Sequence, residues 1–365
     1  MSRRKRPGAW LIDGIIDRGL LPDPLLTPVI RLLLRGRRRR ITAGDIEARS
    51  QRKRALIAEL GAAPVAVSTA EANEQHYEVP TELFELMLGP HLKYSCGWYP
   101  PDERGRTAAG ASTLRLAEEA MLDLTCQRAE LADGQDVLEL GCGWGSLTLW
   151  MAERYPASTI TAVSNSRTQR RYIEAEARER GLTNLRVLTC DVNRLGVEEY
   201  ADVVRDDSFD RVVSVEMFEH VRNHGQLTSR IAGWLRPGGK LFVHVFTHAT
   251  DPYPFETGSR ADWMARHFFT GGLMPSADLL LHSVRGLAIE DQWAVSGKHY
   301  ARTQEAWLER LDAHRDQILA LFEGEPAVAL WRRWRVFTIA CRELFAARGG
   351  DEWYVSHYRF VRGAS

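Results

Sequence analysis

From Asp136 onward the apolar and polar residues of this chain alternate between two periods. Short apolar runs at 137–140, 159–164, 185–190, 209–215 and 240–246 are bounded by turn residues, as buried strands are. Between them apolar residues recur every three to four positions, which predicts helices at 146–154, 167–180 and 219–235. Strands alternating with helices predict an α/β fold, a doubly wound and mostly parallel sheet with right-handed crossovers. Pro237-Gly238-Gly239 reads as a turn feeding the fifth strand. Two late β-rich segments, Ala288–Ser296 and Glu352–Arg362, supply the last two strands of a seven-stranded sheet, with helices at 303–322 and 326–347 between them.

Before the sheet the pattern is helical. Residues 8–60 read as amphipathic helices broken at Pro22-Asp23-Pro24 and around Gly44, and Ala62–Ala72 reads as a linker. The expected organisation is a basic helical region with its linker over 1–75 and one large domain over 76–365. That domain includes a helical lead-in at 76–130. It also carries an insertion at 250–285, rich in proline, glycine and aromatics, that would form a lid over the strand ends.

The most informative stretch is Val137–Gly145, where an apolar run ends in Glu139 and Gly141, Gly143 and Gly145 follow at alternate positions. A strand, a tight glycine turn and a helix place a ligand against the main chain at the carboxyl end of a strand. A nicotinamide fingerprint would need its third glycine one residue later, where Ser146 stands, and an acid at the end of the next strand, where Ser164-Asn165-Ser166 stands. Both departures argue against a dinucleotide. The acid Glu139, one residue and G-x-G-x-G resemble instead the first motif of class I S-adenosylmethionine methyltransferases, a Rossmann-like fold.

Composition narrows the partners. The 365 residues are 44% hydrophobic with a formal net charge of +0, so the molecule as a whole is no polyanion binder and nucleic acid is not expected. The charge is uneven. Arg3, Arg4, Lys5, Arg6, Arg18, Arg31, Arg35 and Arg37–Arg40 face only Asp13, Asp17 and Asp23 in the first forty positions, a pattern that suits either peripheral contact with an anionic membrane or a solvated basic face. No apolar run is long enough to cross a bilayer. Five scattered cysteines without C-x-x-C fit a reducing cytoplasm and neither a disulfide framework nor a zinc site. His244 and His248 lie four apart, but on an expected strand leading into a loop, so no metal is expected.

HYEVPTELFELMLGPHLKYSCGWY, GCGWGSLTLWMAERYP, SNSRTQ, VSVEMFEH, LFVHVFTH, FFTGGLMPS and VSGKHYARTQEAWLERLD occur in this order. Together they resemble the superfamily of cyclopropane-fatty-acyl-phospholipid synthases and coclaurine N-methyltransferases, from Trp10 to Arg362. The resemblance implies S-adenosylmethionine as methyl donor. It implies Tyr94 and Ser95 near its methionine end, Gly141 and Gly143 giving backbone approach, and Asn165 and Gln169 at the ribose. Asp191 and Val192 would face the adenine. Each has a plainer alternative: Gln169 could cap its helix, Asp191 could shape a turn, and Glu139 could bond amides of the glycine turn.

Two branches of the superfamily divide the evidence. VEMFEH, FFTGGLMPSADLLL and SGKHYA are similar to the amine-methylating branch, and Glu216 is its sharpest marker because the lipid branch usually has a small residue there. Cys96 is similar to the lipid branch, in which it belongs to a bicarbonate site matched further by Glu219, His244 and Tyr300, although Phe246 departs from that branch's isoleucine. In the amine reading Glu216, Glu219 and His220, directly after the strand at 209–215, attract an ammonium acceptor and take its proton. If that turn is helical, residues three and four apart share a face, and close carboxylates push one pKa upward. In the lipid reading bound bicarbonate removes the proton that closes a ring. Trp263, Phe268 and Phe269 would shield a cation or pack in the core. A third reading is a cofactor-binding scaffold without turnover.

Overall fold

The computed structural model describes residues 9–67, 79–100, 112–255, 263–322 and 326–363. The Arg3–Arg6 cluster, positions 68–72 of the expected linker, positions 76–78 and 101–111 of the lead-in and positions 256–262 of the insertion lie outside the described residues.

Seven strands form one sheet: β1 (Asp136–Leu140), β2 (Thr159–Ser164), β3 (Leu185–Thr189), β4 (Phe209–Val215), β5 (Leu235–His248), β8 (Ala288–Val295) and β9 (Trp353–Val361). Two short strands, β6 (Tyr253–Pro254) and β7 (Leu273–Met274), pair separately. The sheet order is β3-β2-β1-β4-β5-β9-β8. The first five strands run parallel, and β9 and β8 join antiparallel. The order reverses between β1 and β4, and the crevice there is where doubly wound sheets bind ligands. The two β-rich segments near the C-terminus do complete the sheet.

The helices are α1 (Ala9–Arg18), α2 (Asp23–Ile41), α3 (Ile46–Ala62), α4 (Thr81–Met87), α5 (Ser112–Arg128), α6 (Ser146–Arg154), α7 (Arg167–Glu179), α8 (His224–Trp234), α9 (Trp263–His267), α10 (Leu279–Ser283), α11 (Gly297–Ala313), α12 (Arg315–Ala320) and α13 (Ala327–Ala346). The N-terminal helices dock on α13. Leu26 and Ile30 of α2 pack with Leu308, Ile339 and Ala340. Ion pairs reinforce the contact, Arg333 to Asp17 at 2.6 Å and Arg335 to Asp23 at 2.7 Å. No helix among the described residues is long and apolar enough to cross a membrane.

Two expected helices have different bounds. The predicted helix 219–235 is a 3₁₀ turn at Phe218–His220 followed by α8. The break arises because Arg222 N–H donates to Val65 O at 2.7 Å, and Asn223 then caps α8 by accepting from Gln226 N. The helix predicted at 303–322 begins earlier, at Gly297, and divides at His314 into α11 and α12.

Candidate active site

The turn between β1 and α6 is built on glycines in the left-handed region, with φ +80° at Gly141, +53° at Gly143 and +81° at Gly145. A Cβ on Gly141 would stand 2.7 Å from Met217 and one on Gly145 2.6 Å from Ile173, whereas one on Gly143 would meet nothing within 4 Å among the described residues. The space above Gly143 opens into a cleft of about 190 Å³. Tyr94, Ser95, Glu139, Gly141, Gly143, Asn165, Gln169, Asp191 and Val192 all line that cleft.

Several of these side chains also have local partners. Glu139 accepts from the Thr148 hydroxyl at 2.5 Å, so the hydroxyl and not a backbone amide of the glycine turn is its partner. Burial pushes the Glu139 carboxyl up to about 8. Ser166 caps α7 by accepting from Gln169 N, and the Gln169 side chain accepts from Ser164 Oγ at 2.6 Å. Asp191 shapes its turn by accepting from Asn193 N at 2.8 Å while facing the cleft. The bare space at Gly143 and the acid, hydroxyl and amide groups around it fit a nucleoside-type cofactor approached by backbone.

β4 is followed directly by a left-handed residue that is not glycine, Glu216, at φ +48°. Strain of this kind persists where the surroundings over-determine it. Glu216 N–H donates to His244 O at 2.8 Å. Its carboxylate accepts from Tyr300 Oη at 2.5 Å, from Cys96 N at 3.0 Å and from His244 Nε2 at 3.3 Å. Burial lifts Glu216 to about 7, and the Tyr300 hydrogen bond, the Lys93 charge and the Cys96 amide restrain the rise. Glu219 is buried in the next turn and pushed well above the ordinary carboxylate range, first by burial and then by the Glu216 charge. Its Oε2 is buried with no hydrogen-bond partner among the described residues. The three residues do not share an α-helical face. The left-handed Glu216 and the 3₁₀ turn at 218–220 bring Glu216, Glu219 and His220 to one cavity wall by another route.

The bicarbonate alternative does not fit. Cys96 N, His244 Nε2 and Tyr300 Oη, three groups it would use, are directed at the Glu216 carboxylate, and the Cys96 thiol donates to Gly97 O. The side chain at 216 supplies internally the carboxylate that an anion would have brought.

A second cavity, of about 370 Å³, begins where the cleft ends. Tyr94, Glu216 and His220 border both. Its walls are mostly apolar, from α1, α2, α13 and the insertion, including Trp263 and Phe269, with Arg37, Arg40 and Gln304 among them. Phe268 packs in the core, stacked on Phe337 with centroids 4.3 Å apart. His220 lies parallel to the Phe269 ring at 6.4 Å. Among the described residues no cluster of His, Cys, Asp and Glu could hold a metal ion.

Sequence reasoning missed Lys93. It is buried, lines the cleft, hydrogen-bonds Ser95 Oγ and has its charge disfavoured by burial. A lysine directly before Tyr94-Ser95 was the available signal. It also missed His357, which pairs with His244 and was marked by a polar residue among the apolar positions of its strand.

Fold, glycine cradle and acid-lined junction define the class: the chain is a class I S-adenosylmethionine-dependent methyltransferase. Residues 66–354 match the family described as mycolic acid cyclopropane synthetase, and the chain belongs to that family, in its coclaurine N-methyltransferase-like branch. It is 35% identical over 355 residues to (S)-coclaurine N-methyltransferase of Thalictrum flavum subsp. glaucum, covering 95% of this chain and 94% of the relative. It is 29% identical over 291 residues to the cyclopropane-fatty-acyl-phospholipid synthase of Escherichia coli strain K12, covering 79% and 68% respectively. The crystal structure of coclaurine N-methyltransferase bound to N-methylheliamine and SAH superposes with a TM-score of 0.87 at 34% identity, over 96% of this chain and 98% of that one.

Proposed function

We propose that this enzyme transfers a methyl group from S-adenosylmethionine to the nitrogen of a small, partly apolar amine. The observation that carries the reading is the pair Glu216 and Glu219. They stand in a mostly apolar cavity, which Arg37, Arg40 and Gln304 also line, where it meets the cofactor cleft, and one carboxyl oxygen of Glu219 is buried without a partner among the described residues. An ammonium N–H satisfies such an oxygen, whereas an alkene does not. The likeness to the N-methylheliamine-bound structure supports the same acceptor class.

S-adenosylmethionine supplies an electrophilic methyl group on a positively charged sulfur. The protein does the rest by positioning and proton transfer. Tyr94, Ser95, the glycine turn, Asn165, Gln169, Asp191 and Val192 hold the cofactor. The apolar walls hold the carbon skeleton of the acceptor. Glu216 attracts the ammonium and takes its proton, Glu219 Oε2 accepts a second N–H or fixes the amine's approach, and His220 closes the junction. The lipid alternative lacks a place for its bicarbonate base.

Two features support a cytoplasmic enzyme in peripheral contact with a membrane. All five cysteines are free and buried. Leu20, Leu25, Val29 and Leu32 are exposed beside Arg35, Arg39 and Arg40.

The test is incubation with methyl-labelled S-adenosylmethionine, in parallel with heliamine and with unsaturated phosphatidylglycerol vesicles. Label in N-methylated amine is expected. Label in the acyl chains alone would overturn the amine reading, and calorimetry showing no cofactor binding would overturn the cofactor assignment.

A further inference from the structure

Behind Glu216 a chain of side chains crosses the sheet. His244 on β5 and His357 on β9 face each other across the antiparallel ladder, and neither has exposed surface. Arg128 Nη1 lies 2.8 Å from His357 Nδ1, His357 Nε2 lies 2.9 Å from His244 Nδ1, and His244 Nε2 lies 3.3 Å from Glu216 Oε1. Arg128, half-buried at the end of α5, sits with its guanidinium 4.9 Å over the Trp293 ring.

The far end of this chain fixes every proton in it. A guanidinium only donates, so Nδ1 of His357 accepts and its Nε2 carries the hydrogen. That hydrogen points at His244 Nδ1, so His244 carries its own on Nε2 and donates to Glu216. Protonating either ring would set one N–H against another. Burial and the Arg128 and Lys93 charges oppose it, holding both imidazoles well below the ordinary histidine range. Three hydrogen bonds therefore run in one direction, from a cation to a carboxylate, and bonds aligned in this way polarise one another.

We propose that Arg128 and His357 are positioning residues, which act through His244 to hold Glu216 as an oriented carboxylate. The proposal rests on Glu216 being the proton acceptor. Glu216 is also faced by Lys93 and Cys96 before α5, by Glu219 and His220 of its own turn, by Tyr300 of α11 and by Cys341 of α13. These groups remain when the chain is cut, so the effect is a displacement of the pH profile and not loss of all activity.

The experiment measures kcat/KM for heliamine from pH 6 to pH 9. His357→Phe keeps a ring and breaks the chain. With Glu216 at about 7, a rise of one unit is expected to cost about fivefold at pH 7 and nearly tenfold at pH 6, recovering at pH 9. His357→Gln restores most of the loss, since its carbonyl can accept from Arg128 while its amide donates to His244. A loss of equal size at every pH, no loss, or no rescue by His357→Gln would overturn the proposal. Should His357→Phe fail to fold, Arg128→Met carries the test, with the same displacement expected and the same outcomes overturning it. Glu216→Gln separates the two levels. Full activity in that variant would remove Glu216 as the acceptor, whereas impairment there with unmoved profiles in the other variants removes only the chain.

Discussion

Tyr300 and Glu216 are 84 positions apart, one on the first turn of α11 and the other in the turn after β4, and the phenol donates to Glu216 Oε2 at 2.5 Å. The same ring stacks on Phe345 with centroids 4.3 Å apart. Tyr300→Phe therefore keeps the packing and removes one donor. Without that donor Glu216 rises further above about 7. Activity needs the carboxylate, so it is lost as pH falls through this value. The acidic limb of kcat/KM should move upward by about one pH unit, with a loss of about fivefold at pH 7, nearly tenfold at pH 6 and little loss at pH 9. An unmoved limb would sink this role for the hydroxyl.

Glu216→Gln keeps the size of the side chain and removes its capacity to take a proton. Methylation of heliamine should fall by about 10²-fold in kcat, the usual scale of a general base. S-adenosylmethionine affinity, read by calorimetry, should remain. Wild-type turnover would eliminate Glu216 as the acceptor of the proton.

Two glycines of the cofactor turn, Gly145 and Gly143, should respond differently to alanine. Gly145→Ala strains the backbone at φ +81° and drives a methyl to 2.6 Å from Ile173. It should cost several kcal/mol, the sum of a left-handed alanine and an overpacked contact of about 1–3 kcal/mol. Gly143→Ala meets no neighbour within 4 Å among the described residues, so its cost should be about 1–2 kcal/mol from backbone strain alone. Its methyl enters the cleft, however, and cofactor affinity should drop by tenfold or more, about 1.4 kcal/mol. Thermal melts and calorimetry read the two effects, and a Gly143→Ala variant that binds cofactor normally would refute close backbone approach there.

Glu139→Gln should change the pH dependence of stability. Burial lifts the folded carboxyl to about 8 from an ordinary 4.5. The folded state then keeps a proton that the unfolded chain has released. The stability linked to this group is fully present below 4.5 and is lost as pH rises through about 8. Glutamine has no such proton, so the melting temperature of the variant relative to wild type should climb across this window and level off above it. A constant difference would show that Glu139 is ionised in the fold throughout.

Ala340 is buried where α13 borders the acceptor cavity. Ala340→Phe should fill part of that space and raise KM for heliamine about tenfold or more, the scale of a lost apolar contact of 1–3 kcal/mol. Cofactor affinity should stay as in wild type. Equal KM values would place the acceptor elsewhere.

The sheet was readable because β1 to β4 are short, largely apolar runs between turn signals, and they came out within a residue of their bounds; β5 begins at Leu235, so the expected Pro237-Gly238-Gly239 turn lies inside that strand. The break after Glu216 was not, because it depends on Val65, 157 residues earlier in sequence than Arg222 and unrelated to it by any local pattern. The same limit applies to the acids. Their proximity was legible, but the left-handed turn that creates it was not, since a non-glycine residue at positive φ is imposed by tertiary contacts. Cys96 was read for its thiol, whereas its amide is what reaches Glu216. A backbone donor carries no residue signature.

The two cavities touch along Tyr94, Glu216 and His220. One ligand can therefore span both. An adenosyl thioether joined by a short linker to a tetrahydroisoquinoline nitrogen would place its second half at an effective concentration in the millimolar range once the first is seated. Such a bisubstrate compound should bind far more tightly than either half. Its tolerance for linker length would act as a ruler for the distance between the sulfur and the nitrogen.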